Sequence, residues 1–180
     1  MHIQELGTSL KSFRSEFFSL SGLFGATESK ILMRTGVSHV YTGSLPYTAL
    51  ILKDKLPTVH QSKCFNYYNF TFSQEVKNTE MGHLFEHILL EYLCLLKINK
   101  GYKSVVFEGI TNWDWQKEEK GTFHIKIFGK STIFEFSHAL QKSVELVDFI
   151  IRSQVLYMRD FARDLPPFAP ATLASSGVNS

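Results

Sequence analysis

Two histidines four residues apart, with a glutamate directly before the second, stand in the stretch Gly82-His83-Leu84-Phe85-Glu86-His87. On a helix, residues i and i+4 lie one above the other on the same face. His83 and His87 can therefore present two imidazoles to one ion, while Glu86 reaches a water bound to it. This is the logic of the inverted zinc motif H-x-x-E-H, with two His ligands and a Glu as general base. Zinc would bring the water's pKa towards neutrality, and the carboxylate would take its proton during attack on a carbonyl. The plain alternative is a buried helix that happens to carry two histidines. Chance produces this pattern in on the order of a few per cent of chains of such length at average residue usage, so the motif needs support from its surroundings.

A catalytic zinc needs a third protein ligand and one open position. Glu91 is the nearest carboxylate, but it lies eight residues after His83. That is roughly 12 Å along a straight helix, too far for one ion to reach both. Glu91 is better placed to hydrogen-bond His87 from behind. Glu145, in "KSVELVDFI", shares a helix stripe with His138 and can face a site at the edge of a helix–helix contact; an ordinary solvated glutamate fits that position equally. Glu108 and Glu135 are weaker candidates, and His138 reads as a polar residue of a first helical turn.

Other residues could contact a ligand. Tyr67 and Tyr68 lie in the aromatic run "FNYYNFTF", and Trp113 and Trp115 bracket Asp114 in a polar loop. A tryptophan in a hairpin loop also commonly covers the edge of a core. Cys94 reads as a small core residue. The chain has no Gly-rich phosphate loop, no lysine-containing nucleotide motif, and no Ser or Cys in a recognisable nucleophile setting.

The elements that must position the motif follow from local signals. A helix is expected from about Thr79, as N-cap, to Ile98, stopped by "NKG". "TALILKD" (48–54) reads as a buried strand between Pro46 and Pro57, and 65–72 as a strand or an aromatic-lined loop. "KSVVFEGI" (103–110) and "GTFHIKIFG" (121–129) read as a hairpin with a long connection. A second helix is expected from Ser137, with Leu140, Val144, Val147, Ile151 and Met158 on one stripe, ending before Pro166-Pro167. Residues 6–25 mix Phe and Leu with Ser and Gly and predict no definite element. The expected fold is α+β: a single domain over 1–165, with helices packed on a small, mostly antiparallel sheet and the H-x-x-E-H helix central. Residues 166–180, rich in Pro, Ala and Ser, read as a flexible tail.

Composition narrows the classes. Hydrophobic residues make up 44 % and charged residues 20 %, as in an ordinary globular domain, and the 16 Phe point to an aromatic core or an apolar interface. A formal net charge of +2 with scattered basic residues gives no case for nucleic acid. Two cysteines make no disulfide framework and suit a reducing compartment. With neither a signal-like apolar core near the start nor a run of membrane-spanning length, the expectation is a cytoplasmic protein without membrane contact.

The stretch "CFNYYNFTFSQEVKNTEMGHLFEHILLEYL" (64–93) resembles the N-terminal domain of cyanophycin synthetase. That pattern has a Cys, an aromatic pair, an acidic spacer ending in Thr, then Gly-His-x-x-Glu-His and a Leu/Glu run. Cys64, Tyr67 and Tyr68, Thr79, Gly82, His83, Glu86 and His87 occupy those positions, with Glu91 on the later glutamate. "YKSVVFEGITNWDWQ" resembles a downstream strand of the family and "HALQKSVELVDFI" its closing helix, so the resemblance covers roughly 64–152. The family's ATP-dependent ligase modules have no counterpart in this sequence. The resemblance implies binding of a polymer with an aspartate backbone and arginine side chains, and in some members a metallohydrolase site that cuts it. The arrangement is similar to pitrilysin-type inverted-zinc peptidases, whose third ligand is a Glu on a later helix, and Glu145 is the position matched to it. The expectation is thus a zinc hydrolase acting on a peptide or poly-amino-acid, with His83, His87 and Glu145 as ligands, Glu86 as base, and Tyr67, Tyr68 and Trp113 contacting substrate. The competing expectation is a non-catalytic binding module that grips a peptide or partner protein through Tyr67, Tyr68, Trp113 and Trp115; a structural or assembly domain with the Phe-rich N-terminal region as its interface is a third, and a homo-oligomer falls within the expectation.

Overall fold

The computed structural model describes residues 9–64 and 70–164, and side chains within 12–64 and 70–154. Three strands come first: β1 (Ser9–Arg14), β2 (Phe18–Phe24) and β3 (Glu28–Thr35). They form an antiparallel meander, joined across β3 to the hairpin of β4 (Glu108–Asn112) and β5 (Thr122–Phe128). The strand order is β1-β2-β3-β5-β4, with every pairing antiparallel. The chain is an α+β domain, as its local patterns predict.

One face of this sheet makes the core. Phe18, Leu20 and Phe24 of β2, Ile31 and Met33 of β3, and Phe123, Ile125 and Ile127 of β5 are all buried. They recur at every second residue because successive strand side chains point to opposite faces. The same alternation is readable in "FSLSGLF" and "ESKILMRT", yet the interleaved serines and lysines hide it from a search for apolar runs.

Two helices cover that face. α3 (Met81–Asn99) carries the histidine motif and packs on β4, β5 and α4. Gly82 sits directly under the Phe123 ring, where a Cβ would overlap the ring carbons. The absent side chain lets the first turn of α3 approach β5 closely. α4 (Ile133–Asp164) starts four residues earlier than Ser137 and runs to the last described residue, and the expected stop before Pro166 lies outside the described residues. Its start is a capping box. The Thr132 N–H donates to the Glu135 carboxylate at 2.8 Å, and the Glu135 N–H donates to the Thr132 hydroxyl at 3.1 Å. The T-x-x-E pattern was there to read in "STIFE".

The segment expected as a strand at 48–54 is instead the helix α1 (Thr48–Lys55). Its buried residues Thr48, Ile51 and Leu52 are spaced i, i+3, i+4, while Leu50 is 56 % exposed. A short apolar run does not by itself separate strand from helix; the exposed Leu50 does. Phe72–Glu75 forms one helical turn, α2, and residues 65–69 lie outside the described residues, as do residue 165 and the expected tail, 166–180. The expected strand at 103–110 begins later, at Glu108. Among the described residues, no helix is long and apolar enough to cross a membrane.

Glu135 also receives Lys97 at 2.8 Å and Lys100 at 2.7 Å, both from the end of α3, so one carboxylate joins the two helices. Burial alone would raise its pKa, but the hydrogen bonds from Lys100, Lys97 and the Thr132 N–H outweigh that and hold it at about 2. The folded carboxyl therefore titrates below its ordinary value of 4.5, and its stabilisation is complete above that pH and lost as pH falls towards about 2. Glu135→Gln should lower stability at neutral pH by about 2 kcal/mol. In urea melts it should also remove part of the loss seen in wild type on acidification through that window.

Candidate metal centre

The first two turns of α3 place His83 and His87 on one face, and their Nε2 atoms lie 3.1 Å apart. A third group completes the cluster. Cys64 Sγ is 3.1 Å from His87 Nε2 and 3.6 Å from His83 Nε2. Cys64 follows a 3₁₀ turn (Pro57–Gln61), and the chain around it is pinned by a bridge between Lys63 and Thr71. Phe72, just beyond that bridge, stacks on the His87 ring with centroids 4.0 Å apart.

The hydrogen bonds behind the rings decide which nitrogens are free. Ser62 Oγ donates to the Val59 carbonyl at 2.7 Å, so its hydroxyl proton is committed. His87 Nδ1, 2.9 Å from that oxygen, must then be the donor, which leaves Nε2 as a bare lone pair. His83 is anchored at the same end, its Nδ1 lying 2.8 Å from Thr79 Oγ1, which can donate to it or accept from it. Thr79 is held by Thr42, which accepts from the Thr79 N–H and donates to its carbonyl. The lone pair of His87 Nε2 thus meets His83 Nε2 at hydrogen-bond distance, with the thiol beside both.

These separations fit a metal. A tetrahedral zinc with ordinary Zn–N and Zn–S bonds puts its ligand nitrogens about 3.4 Å apart and nitrogen from sulfur about 3.6 Å. The cluster can therefore chelate a divalent ion with little movement, and among the described residues it has three members, Cys64, His83 and His87. Burial raises the Cys64 thiol to about 12, assisted by the charges of Glu75 and Glu86. Burial, and then His83, push His87 down to about 3, and burial likewise lowers His83. The imidazoles are neutral, as ligands must be, and the thiol needs a cation to release its proton.

Glu86 lies on the next face of α3, 5 % exposed, against β4. Thr111 Oγ1 donates to its Oε2 at 2.5 Å. Gly109 makes room for the carboxylate, since a Cβ there would overlap it. Burial raises the Glu86 carboxyl to about 7, with the Thr111 hydrogen bond working in the opposite direction. Glu86 and both histidines line one cavity of about 600 Å³, shared with Gly109, Thr111 and Trp113.

The other sequence-predicted residues are placed as follows. Glu145 stands on the exposed side of α4, accepting from Gln141 at 3.0 Å and Lys142 at 3.1 Å, and Cys64 occupies the position beside the histidines that Glu145 was expected to fill. The physical reason is register: α4 turns Leu146, Val147 and Ile150 into the core, which points residue 145 outward. Glu91 is not the hydrogen-bond partner of His87; Ser62 is. Thr79 serves His83 and not the helix N-cap, which is Glu80. Trp113, 38 % exposed, lines the cavity, and Trp115 packs on Phe123 and donates to the Thr122 carbonyl. Glu108 is at the cavity rim, and His138 is exposed. Tyr67 and Tyr68 lie outside the described residues. Sequence reasoning missed Cys64 as a ligand, and Ser62 and Thr111 altogether. A cysteine about twenty residues upstream of the motif was the available signal for the first; nothing local marks the other two.

Comparison with family models, with curated proteins and with solved structures returns no match.

Purified protein should carry up to one equivalent of a divalent transition metal by plasma emission analysis, and Cys64→Ala or His83→Ala should lose most of it. Ser62→Ala should keep the ligands yet weaken metal binding by roughly 10–100-fold in competition with a chromophoric chelator. Equal metal content in wild type and both ligand variants would remove the case for this centre.

Proposed function

We propose that the chain is a zinc-dependent hydrolase that cuts amide bonds in a peptide or a poly-amino-acid such as cyanophycin. The observation that carries this reading is the donor set of Cys64, His83 and His87, whose two histidines line a cavity with a buried glutamate in its wall. Two neutral imidazoles and one thiol suit zinc, and three protein ligands leave a position for water, as in catalytic rather than structural sites. A bound zinc would supply an activated water and polarise a carbonyl. Cys64, His83 and His87 would hold it, with Ser62 fixing the His87 tautomer and Thr79 anchoring the His83 ring. Glu86, with a carboxyl near neutrality, can accept a proton and return it to a leaving amine. Thr111 orients that carboxylate. Trp113 offers an apolar surface to substrate. The resemblance to the cyanophycin synthetase N-terminal domain supports the polymer as a substrate, and a cytoplasmic setting suits an unpaired buried thiol.

One observation favours the second reading, a metal-bearing module that binds a peptide without cutting it. The Glu86 carboxylate is committed to Thr111 on β4 rather than to the histidine cluster. Glu86→Gln separates the two. With zinc-loaded protein, a quenched fluorescent peptide library and cyanophycin as substrates, the hydrolase reading expects turnover by wild type. The variant should fall by about 100-fold or more with zinc content unchanged. No cleavage by zinc-loaded wild type, with substrate still bound, would leave the binding module.

A further inference from the structure

We propose that the chain has a second ligand site, between the end of α3 and the start of α4, that takes a small organic carboxylate with an apolar body. The cavity there is about 860 Å³, larger than the one beside the histidines and within the range of small-molecule sites. Its walls include Lys97, Lys100, Lys130, Val106, Phe107 and Phe134.

Charge selects the head of the ligand. Three ammonium groups face one carboxylate, Glu135, so the cavity keeps a net charge of +2 after the internal ion pairs are made. Lys97 is fixed by Glu135 and by the face of Tyr102, 5.1 Å from its Nζ. Lys100 is half exposed and Lys130 exposed, so each can turn an N–H towards an anion. A cation would be repelled. The apolar walls select the body. Phe134 is 79 % exposed and Val106 71 %, unusual for large apolar side chains that nothing covers. A half-open cleft of this size, with lysines and apolar side chains in one wall, fits a small amphipathic anion. Phe107 belongs to both cavities. It lies over Gly129, where a Cβ would overlap its ring. A ligand seated here therefore rests on the same ring that walls the metal cavity.

The probe is sodium decanoate, titrated into the isotope-labelled full chain and followed by backbone amide shifts, with decanol as the uncharged control. Saturable shifts should appear within 97–107 and 130–135, and decanol should bind at least about tenfold more weakly because it forms no charge-assisted hydrogen bonds. Lys130→Glu should weaken decanoate by about tenfold. Val106→Asp, at an exposed wall position, should do the same without touching an ammonium group. Absence of saturable shifts, equal binding of decanol, or wild-type affinity in both variants would overturn the site.

Discussion

Two imidazole Nε2 atoms meet 3.1 Å apart in the interior of this protein, and much of the surrounding structure is explained by how they come to do so. Each ring is anchored at its Nδ1 by a hydroxyl, His87 by Ser62, whose own proton goes to the Val59 carbonyl, and His83 by Thr79. The rings are held from behind, and the Nε2 atoms are left in front with a thiol beside them. A cation there would take both nitrogens and give the thiol a reason to ionise.

The sheet makes this possible by bringing α3 very close. Gly82 removes the one side chain that would hold the helix away from Phe123, and Gly109 does the same between β4 and Glu86. The result is a motif helix with histidines facing the 62–64 segment and a glutamate pressed on an edge strand. Burial then divides the titratable groups. The histidines are held neutral, the thiol protonated, and the Glu86 carboxyl is moved to about 7. The imidazoles are thereby already in the neutral form that a metal would need, and the thiol is the group that would have to give up its proton.

At the far end of α3 the solution is different. Lys97 and Lys100 meet a carboxylate that is also the cap of α4, so the two helices that cover the sheet are joined by one side chain. Charge is compensated there by ion pairs, whereas at the histidine end it is avoided by neutrality. The two cavities at these ends share the Phe107 ring, which places a basic volume and the histidine-lined volume back to back.

Local sequence was sufficient for whatever depends on neighbours along the chain. The i, i+4 spacing of His83 and His87, the extent of α3 and the β4–β5 hairpin with its long loop were all legible, because helix periodicity and turn signals are short-range. β2 and β3 were less so: their burial alternates, but serine and glycine stand among the apolar residues of β2, and lysine, arginine and the outward-facing Leu32 among those of β3. α1 was misread because an apolar run of that length has the same appearance in a strand and a helix. The donor set lay beyond sequence altogether. Cys64 reaches the histidines across 19 and 23 positions, Thr111 reaches Glu86 across 25, and Glu145 is turned away by the register of a long helix against the core. The sequence by itself determined that two imidazoles share a face; which third atom joins them is a matter of chain packing, and only the tertiary structure decided it.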